Sequence, residues 1–155
     1  MQEHRFAQFI LAVDRLQKCV QELEMYYAPE FGVKGVHILW VDMLLSYPEG
    51  LTASELAAKC SINRSLVSRE IGYLREQGYV SAVSGRGYNQ PITLTEKGKR
   101  AAQGISERIK EIQGAVDTGV TREELATFYR VMFALCQNFE ALTQDKGSLT
   151  VPPAN

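Results

Sequence analysis

Little in this sequence points to covalent chemistry. Its 155 residues include two histidines, His4 and His37, and three cysteines, Cys19, Cys60 and Cys136. No CxxC pair occurs, so a zinc knuckle is not expected, and an odd number of widely spaced cysteines reads as free, buried structural thiols. There is no GxGxxG, no P-loop and no HExxH. Neither histidine stands in a motif with a nucleophile and an acid partner. The chain is therefore read as a non-enzyme with no cofactor and no metal. No apolar run approaches the roughly 18 residues that a membrane helix needs. The opening MQEHRFAQFI lacks the basic flank and long apolar core of a signal peptide. These absences predict a cytoplasmic protein that has no membrane partner.

A general excess of positive charge is also missing, the formal net charge being −1. The distribution is uneven. Residues 1–50 carry four basic and seven acidic groups (−3), residues 51–100 eight and four (+4), and residues 101–155 five and seven (−2). The positive excess is confined to the middle third, a pattern that suits a polyanionic partner docking there. Length and an apolar content of 45% fit one globular domain with a real core.

What is present is a run of helix patterns around one compact motif. Phe6, Phe9, Ile10, Val13, Leu16, Val20 and Leu23 recur at steps of three or four, which predicts an amphipathic helix over residues 4–27, ended by Pro29 and Gly32. Residues 34–46 are apolar nearly all round and predict a helix buried on most sides. Thr52-Ala53-Ser54-Glu55 is a capping box opening a helix to about Lys59. Asn63 suits the cap of the next, about Arg64 to Gln77, with Val67, Ile71 and Leu74 inward and Gly78 as a left-handed stop. Tyr79 to Val83 and Pro91 to Leu94 read as short strands joined by the loop Ser84 to Gln90. Thr95 opens a helix to about Val116. Thr121 to Glu124 is a second capping box, before a helix whose Leu125, Phe128, Met132, Leu135, Phe139 and Leu142 form a heptad-like seam.

Helix, tight turn, helix, strand, loop, strand is the order of a helix-turn-helix followed by a wing, a unit that puts one helix in the DNA major groove and the loop on the adjoining backbone or minor groove. The expected fold is mostly α (α+β): a winged helix-turn-helix lobe over residues 33–99, a helical dimerisation region from residues 1–32 and 100–144, and a flexible tail at 145–155. The terminal helices carry full apolar stripes that the winged unit does not need for its own core, which predicts a homodimer.

The candidate DNA-contacting residues follow from that geometry. Arg64, Ser65, Ser68 and Arg69 lie opposite or beside Val67, Ile71 and Leu74, where Arg can pair with guanine and Ser can reach a base or a phosphate. Gly72 leaves room for close backbone approach. Glu70 is unfavourable near phosphates and is expected to point away or to accept from a cytosine amine. Arg86 in the wing suits a minor groove, Tyr88 suits sugar or phosphate, and Ser54 at a helix N-terminus can donate to phosphate. Solvated helix positions, an ordinary hairpin tip and simple capping are the plainer readings of the same residues. Tyr27, His37 and Trp40 belong to an aromatic cluster that is either plain core or a site for a small aromatic effector.

The pieces LTASELAAKCSINRSLVSREIGYLREQGYV and ITLTEKGK, with two helices before and two after, resemble the multiple-antibiotic-resistance regulator (MarR) family of transcription factors over about residues 4–144. The resemblance implies a homodimeric winged-helix regulator that binds double-stranded DNA at a near-palindromic operator, acting as a repressor released by a small molecule or an oxidant. For the second route it points to Cys19, since some relatives carry a reactive thiol in the first helix. Two departures stand out: the wing is shorter than is typical, with Arg86 its only charge, and the turn holds Ser61 where the general motif often has Gly. The alternative from a different class is a winged-helix module that binds protein and not DNA.

Overall fold

The computed structural model describes residues 4–82 and 90–144. In chain order these form α1 (Arg5–Tyr27), 3-10 turns at Ala28–Phe31 and Gly35–His37, α2 (Ile38–Leu45), α3 (Ala53–Lys59), α4 (Arg64–Glu76), β1 (Val80–Ala82), β2 (Ile92–Leu94), α5 (Glu96–Val116) and α6 (Arg122–Gln144). The fold is mostly helical, with one two-stranded antiparallel sheet whose register pairs Val80 with Leu94 and Ala82 with Ile92. An isolated bridge from Leu51 to Ile92 ties the start of the helix-turn-helix to that sheet. The chain divides into two compact units, Met1–Glu111 and Ile112–Asn155.

The first unit holds the core. Val67, Ile71 and Leu74 are all buried on α4, as the four-and-three spacing requires of a helix with one inward stripe. They join Ile38, Trp40, Val41 and Leu44 of α2, Leu56 of α3, Val80 and Ile92 of the sheet, and Ala102 and Ile105 of α5. The ends of α4 are fixed by local chemistry. Asn63 Oδ1 accepts from the Ser65 amide at 2.7 Å. At the other end Gly78 takes φ +78°. The Gly78 amide then donates to Arg75 O at 3.0 Å and the Tyr79 amide to Leu74 O at 2.9 Å, the paired bonds of a Schellman stop. The Thr52 capping box forms reciprocally: the Glu55 amide donates to Thr52 Oγ1 at 3.2 Å and the Thr52 amide to Glu55 Oε2 at 2.8 Å.

Three details depart from the expectations. The helix expected at 34–46 begins as the 3-10 turn Gly35–His37 and becomes α-helical at Ile38, because Lys34 is extended and the His37 amide donates to Lys34 O at 2.9 Å, closing a tighter turn. Val36 and Leu39 stay exposed, so this helix is not covered all round. Cys19 and Cys136 are exposed and not buried, since α1 and α6 bury no residue; Cys60 is half-buried, its thiol facing Met43 Sδ at 3.8 Å. Ser61 takes φ +52°, so it fills the left-handed position of the turn that Gly often occupies, a conformation that costs an L residue roughly 1–2 kcal/mol.

The second unit is the end of α5, a turn with Gly119 at φ +84°, and α6. The second capping box forms as expected, the Glu124 amide donating to Thr121 Oγ1 at 3.2 Å and the Thr121 amide to Glu124 Oε2 at 2.8 Å. Along α6, Leu125, Met132 and Leu135 are half-buried while Phe128 and Leu142 are exposed.

Candidate nucleic-acid interface

The outward face of α4 brings four of the candidate residues together. Arg64 and Ser68, and Ser65 and Arg69, are each four residues apart and so are neighbours on the helix surface. All four are exposed. Gly72 continues this face, and a Cβ built there meets nothing within 4 Å. Glycine inside a helix destabilises by roughly 0.5–1 kcal/mol relative to alanine, and among the described residues no packing requires it. Ser54, in the first turn of α3, is half-buried. Arg86 and Tyr88 lie outside the described residues.

Glu70 does not share the outward face. Its side chain is 12% exposed, and its Oε2 lies 3.0 Å from both Lys34 Nζ and His37 Nε2. Its Oε1 lies 3.4 Å from Arg69 Nε. The Lys34 ammonium holds the carboxyl below the ordinary carboxylate range, with smaller contributions from His37 and Arg69. His37 is fully buried, at 0% exposure. The Lys34 backbone N–H points at its Nδ1 from 3.3 Å, so Nδ1 accepts and Nε2–H donates to Glu70, which defines a neutral imidazole. Tyr73 completes the group. Its ring stacks on His37 with centroids 5.4 Å apart, and Lys34 Nζ sits 4.0 Å from its centroid.

Burial pushes the His37 pKa below its usual value, against the opposing pull of Glu70. The sign of the consequence is fixed. The unfolded chain takes up this proton near pH 6.5, and the folded chain takes it up only at lower pH. Stability therefore falls as the pH drops through that window, before the carboxylates titrate. We expect the urea midpoint of the wild type to drop between about pH 7 and pH 5.5, and His37→Gln to remove most of that drop. An unchanged pH slope in the variant would contradict the neutral buried state of His37.

The remaining candidates are placed as follows. Trp40 is buried, its ring 5.8 Å from that of His37. Tyr27 is half-buried beneath the Arg108 guanidinium, 5.0 Å from its ring centroid. Cys19 is exposed on α1. Among the described residues no group of three or more His, Cys, Asp and Glu side chains is arranged to hold a metal ion, and no helix is long and apolar enough to cross a membrane. Sequence reasoning missed Lys34 and Tyr73, because Lys34 meets Glu70 across 36 positions and no local pattern announces so distant a contact.

Comparison with known proteins agrees with this geometry. Residues 38–89 match the family model of an HTH domain. The transcriptional regulator SlyA superposes with a TM-score of 0.77 at 16% identity, covering 84% of this chain and 93% of that one. A MarR family protein from Bacillus stearothermophilus gives 0.69 at 20% identity, covering 90% and 99%. A chain from Listeria monocytogenes assigned to the MarR family and complexed with 26mer DNA gives 0.78 at 16% identity, covering 89% and 94%. The fold is thus the winged helix-turn-helix of the MarR-family structures. No curated protein sequence matches the chain.

Proposed function

We propose that the protein is a MarR-type transcriptional regulator that binds double-stranded DNA sequence-specifically through α4. The observation that carries this reading is the exposed face Arg64, Ser65, Ser68 and Arg69, running on to an open Gly72 and backed by buried Val67, Ile71 and Leu74. A rigid helix with long cationic and short hydroxyl side chains, and no bulk at the point of closest approach, suits major-groove docking. The DNA complex of the Listeria chain, alike in fold, supports the same use here. Wing contacts from Arg86 and Tyr88 and a phosphate contact from Ser54 complete the proposed interface.

The active form we infer is a homodimer on a near-palindromic operator. Leu11, Leu16, Val20, Met25 and Tyr26 on α1 and Tyr129, Val131 and Phe133 on α6 are exposed, more large apolar side chains than the helices of a monomer ordinarily leave in water. Two recognition helices about 34 Å apart would enter successive major grooves, and repression would be steric. Release by a small aromatic molecule at Tyr27, His37 and Trp40, or by an oxidant at Cys19, is the finer part of the proposal. A ligand reaching His37 and Trp40 has to open the packing between α2 and α4, so that route couples binding to movement of the reading helix.

Two variants test the interface. Arg69→Ala is expected to weaken specific binding by about 1–3 kcal/mol, and Arg64→Ala similarly, while nonspecific binding falls less. Fluorescence anisotropy against selected and scrambled duplexes measures both. Gly72→Ala separates folding from function: its melting temperature should rise by the equivalent of about 0.5–1 kcal/mol, while DNA affinity falls because the methyl stands where the groove must come. A variant that is more stable and binds DNA as tightly as wild type would remove Gly72 from the interface.

A further inference from the structure

The arrangement around Glu70 is more than a salt bridge at the edge of the core. One carboxylate divides its two oxygens between different partners, His37 and Lys34 on one and Arg69 on the other. Oε2 is held by Nε2–H of the buried His37 and by Nζ of the exposed Lys34, each at 3.0 Å. Oε1 faces the Nε of Arg69 at 3.4 Å. Arg69 itself is 73% exposed at the side chain. Among the described residues its terminal nitrogens make no hydrogen bond, so only Nε is engaged. A guanidinium held by Nε keeps its remaining donors as a planar fork, the shape that pairs with O6 and N7 of guanine.

The anchor on the inner side is built to stay put. His37 is fully buried; its ring is fixed by the Lys34 amide on Nδ1 and by stacking on Tyr73. Lys34 is seated over the same Tyr73 ring. A carboxylate beside a DNA-reading face would ordinarily oppose binding, and here its charge is taken up by Lys34 and Arg69. The apolar stripe of α4 is complete with Val67, Ile71 and Leu74, so what the core asks of Glu70 is an acceptor for the buried His37 N–H, met by one of its two oxygens.

We propose that Glu70 is a specificity-determining positioning residue: anchored by His37 and Lys34, it holds Arg69 by Nε so that the terminal nitrogens face one guanine of the target. The inference rests on α4 being the DNA-reading helix. Glu70 touches no base. It acts by restricting an otherwise mobile side chain, so that less conformational freedom is lost on pairing with guanine than on landing anywhere along a phosphate backbone.

The test is sequence selection from a randomised duplex pool by wild type, Arg69→Ala, Glu70→Gln, Lys34→Ala and the double variant Glu70→Gln/Arg69→Ala, followed by anisotropy on the selected duplex, its single-base variants and a scrambled duplex. Wild type should prefer guanine at one position that Arg69→Ala relaxes. Glu70→Gln should relax the same position by about tenfold, a share of what a bidentate contact supplies. It should also bind scrambled DNA at least as tightly as wild type, because one negative charge has gone. Lys34→Ala, a surface change that leaves the core intact, should relax that position in the same direction by less. In the Arg69→Ala background Glu70→Gln should change discrimination by under about twofold, the signature of coupled residues.

A purely structural Glu70 would instead lower the melting temperature and weaken every duplex alike, keeping the guanine preference. That result overturns the inference, as does equal loss in both backgrounds. If wild type selects no preferred sequence, the DNA reading fails and takes the inference with it; if wild type and Arg69→Ala behave as expected and Glu70→Gln keeps the preference, only the inference fails.

Discussion

Replacing Gly98 by alanine is expected to destabilise the protein by about 3 kcal/mol or more, at or above the upper end of ordinary overpacking. A Cβ at Gly98 would lie 2.0 Å from the carbonyl oxygen of Tyr79 and 3.0 Å from its carbon. That backbone has nowhere to go. Tyr79 O accepts from the Thr95 amide at 3.0 Å, and the Tyr79 hydroxyl donates to Phe31 O at 2.9 Å. A Cβ at Gly32 would already meet that hydroxyl at 2.3 Å. The wedge would fall where α4 ends, β1 begins and α5 starts, so it displaces the root of the wing as well as the core. Thermal melts at fixed protein concentration measure the loss. Gly72→Ala is the matched control, the same change on a helix facing open space, where the sign reverses. A Gly98→Ala protein as stable as wild type would refute the packing at this junction.

Trp40→Ala should cost about 3–5 kcal/mol, the usual range for emptying a large aromatic from a core. Trp40 is only 2% exposed and belongs to the cluster joining α2 to Val67, Ile71 and Leu74. A protein of this size loses about 2–4 °C per kcal/mol, so a fall of the order of 10 °C is expected. The effect should reach the outer face of α4, because the Trp40 ring neighbours His37, which holds Glu70. Destabilisation below about 1 kcal/mol would mean that Trp40 fills a site able to take water or ligand and is not a core element.

Much of the fold was legible because local rules carried it. Thr52, Asn63 and Thr121 cap helices through bonds to residues two or three positions away, and the α4 stripe is a matter of period alone. The Gly of LTEKG is legible as a pattern, but its cause is not: Gly98 answers to Tyr79, nineteen positions earlier, across a contact that only the folded chain creates. The same holds at Glu70. Sequence reasoning had it pointing away or accepting from a cytosine amine; the partners it takes up in the fold, Lys34 and a buried His37, lie 36 and 33 positions off and leave no local trace. The outward residues of α4 were readable, since an amphipathic helix with a known inward side fixes the other side. The expectation of buried cysteines failed on α1 and α6 because a stripe at helical spacing does not say whether anything within the same chain covers it. The short 3-10 start before α2 escaped for a related reason: it depends on a turn at Lys34 and on His37, which apolar periodicity does not sense.

The most direct measurement is fluorescence anisotropy of the wild type on a duplex selected from a randomised pool, against a scrambled duplex, over a salt series. The expected result is tighter binding to the selected duplex, an affinity that falls with salt at about 0.9 logarithmic units per phosphate neutralised, and loss of the preference in Arg69→Ala. Equal binding to both duplexes, unchanged by Arg69→Ala, would contradict DNA recognition by α4 and leave the winged helix as a surface for a protein partner.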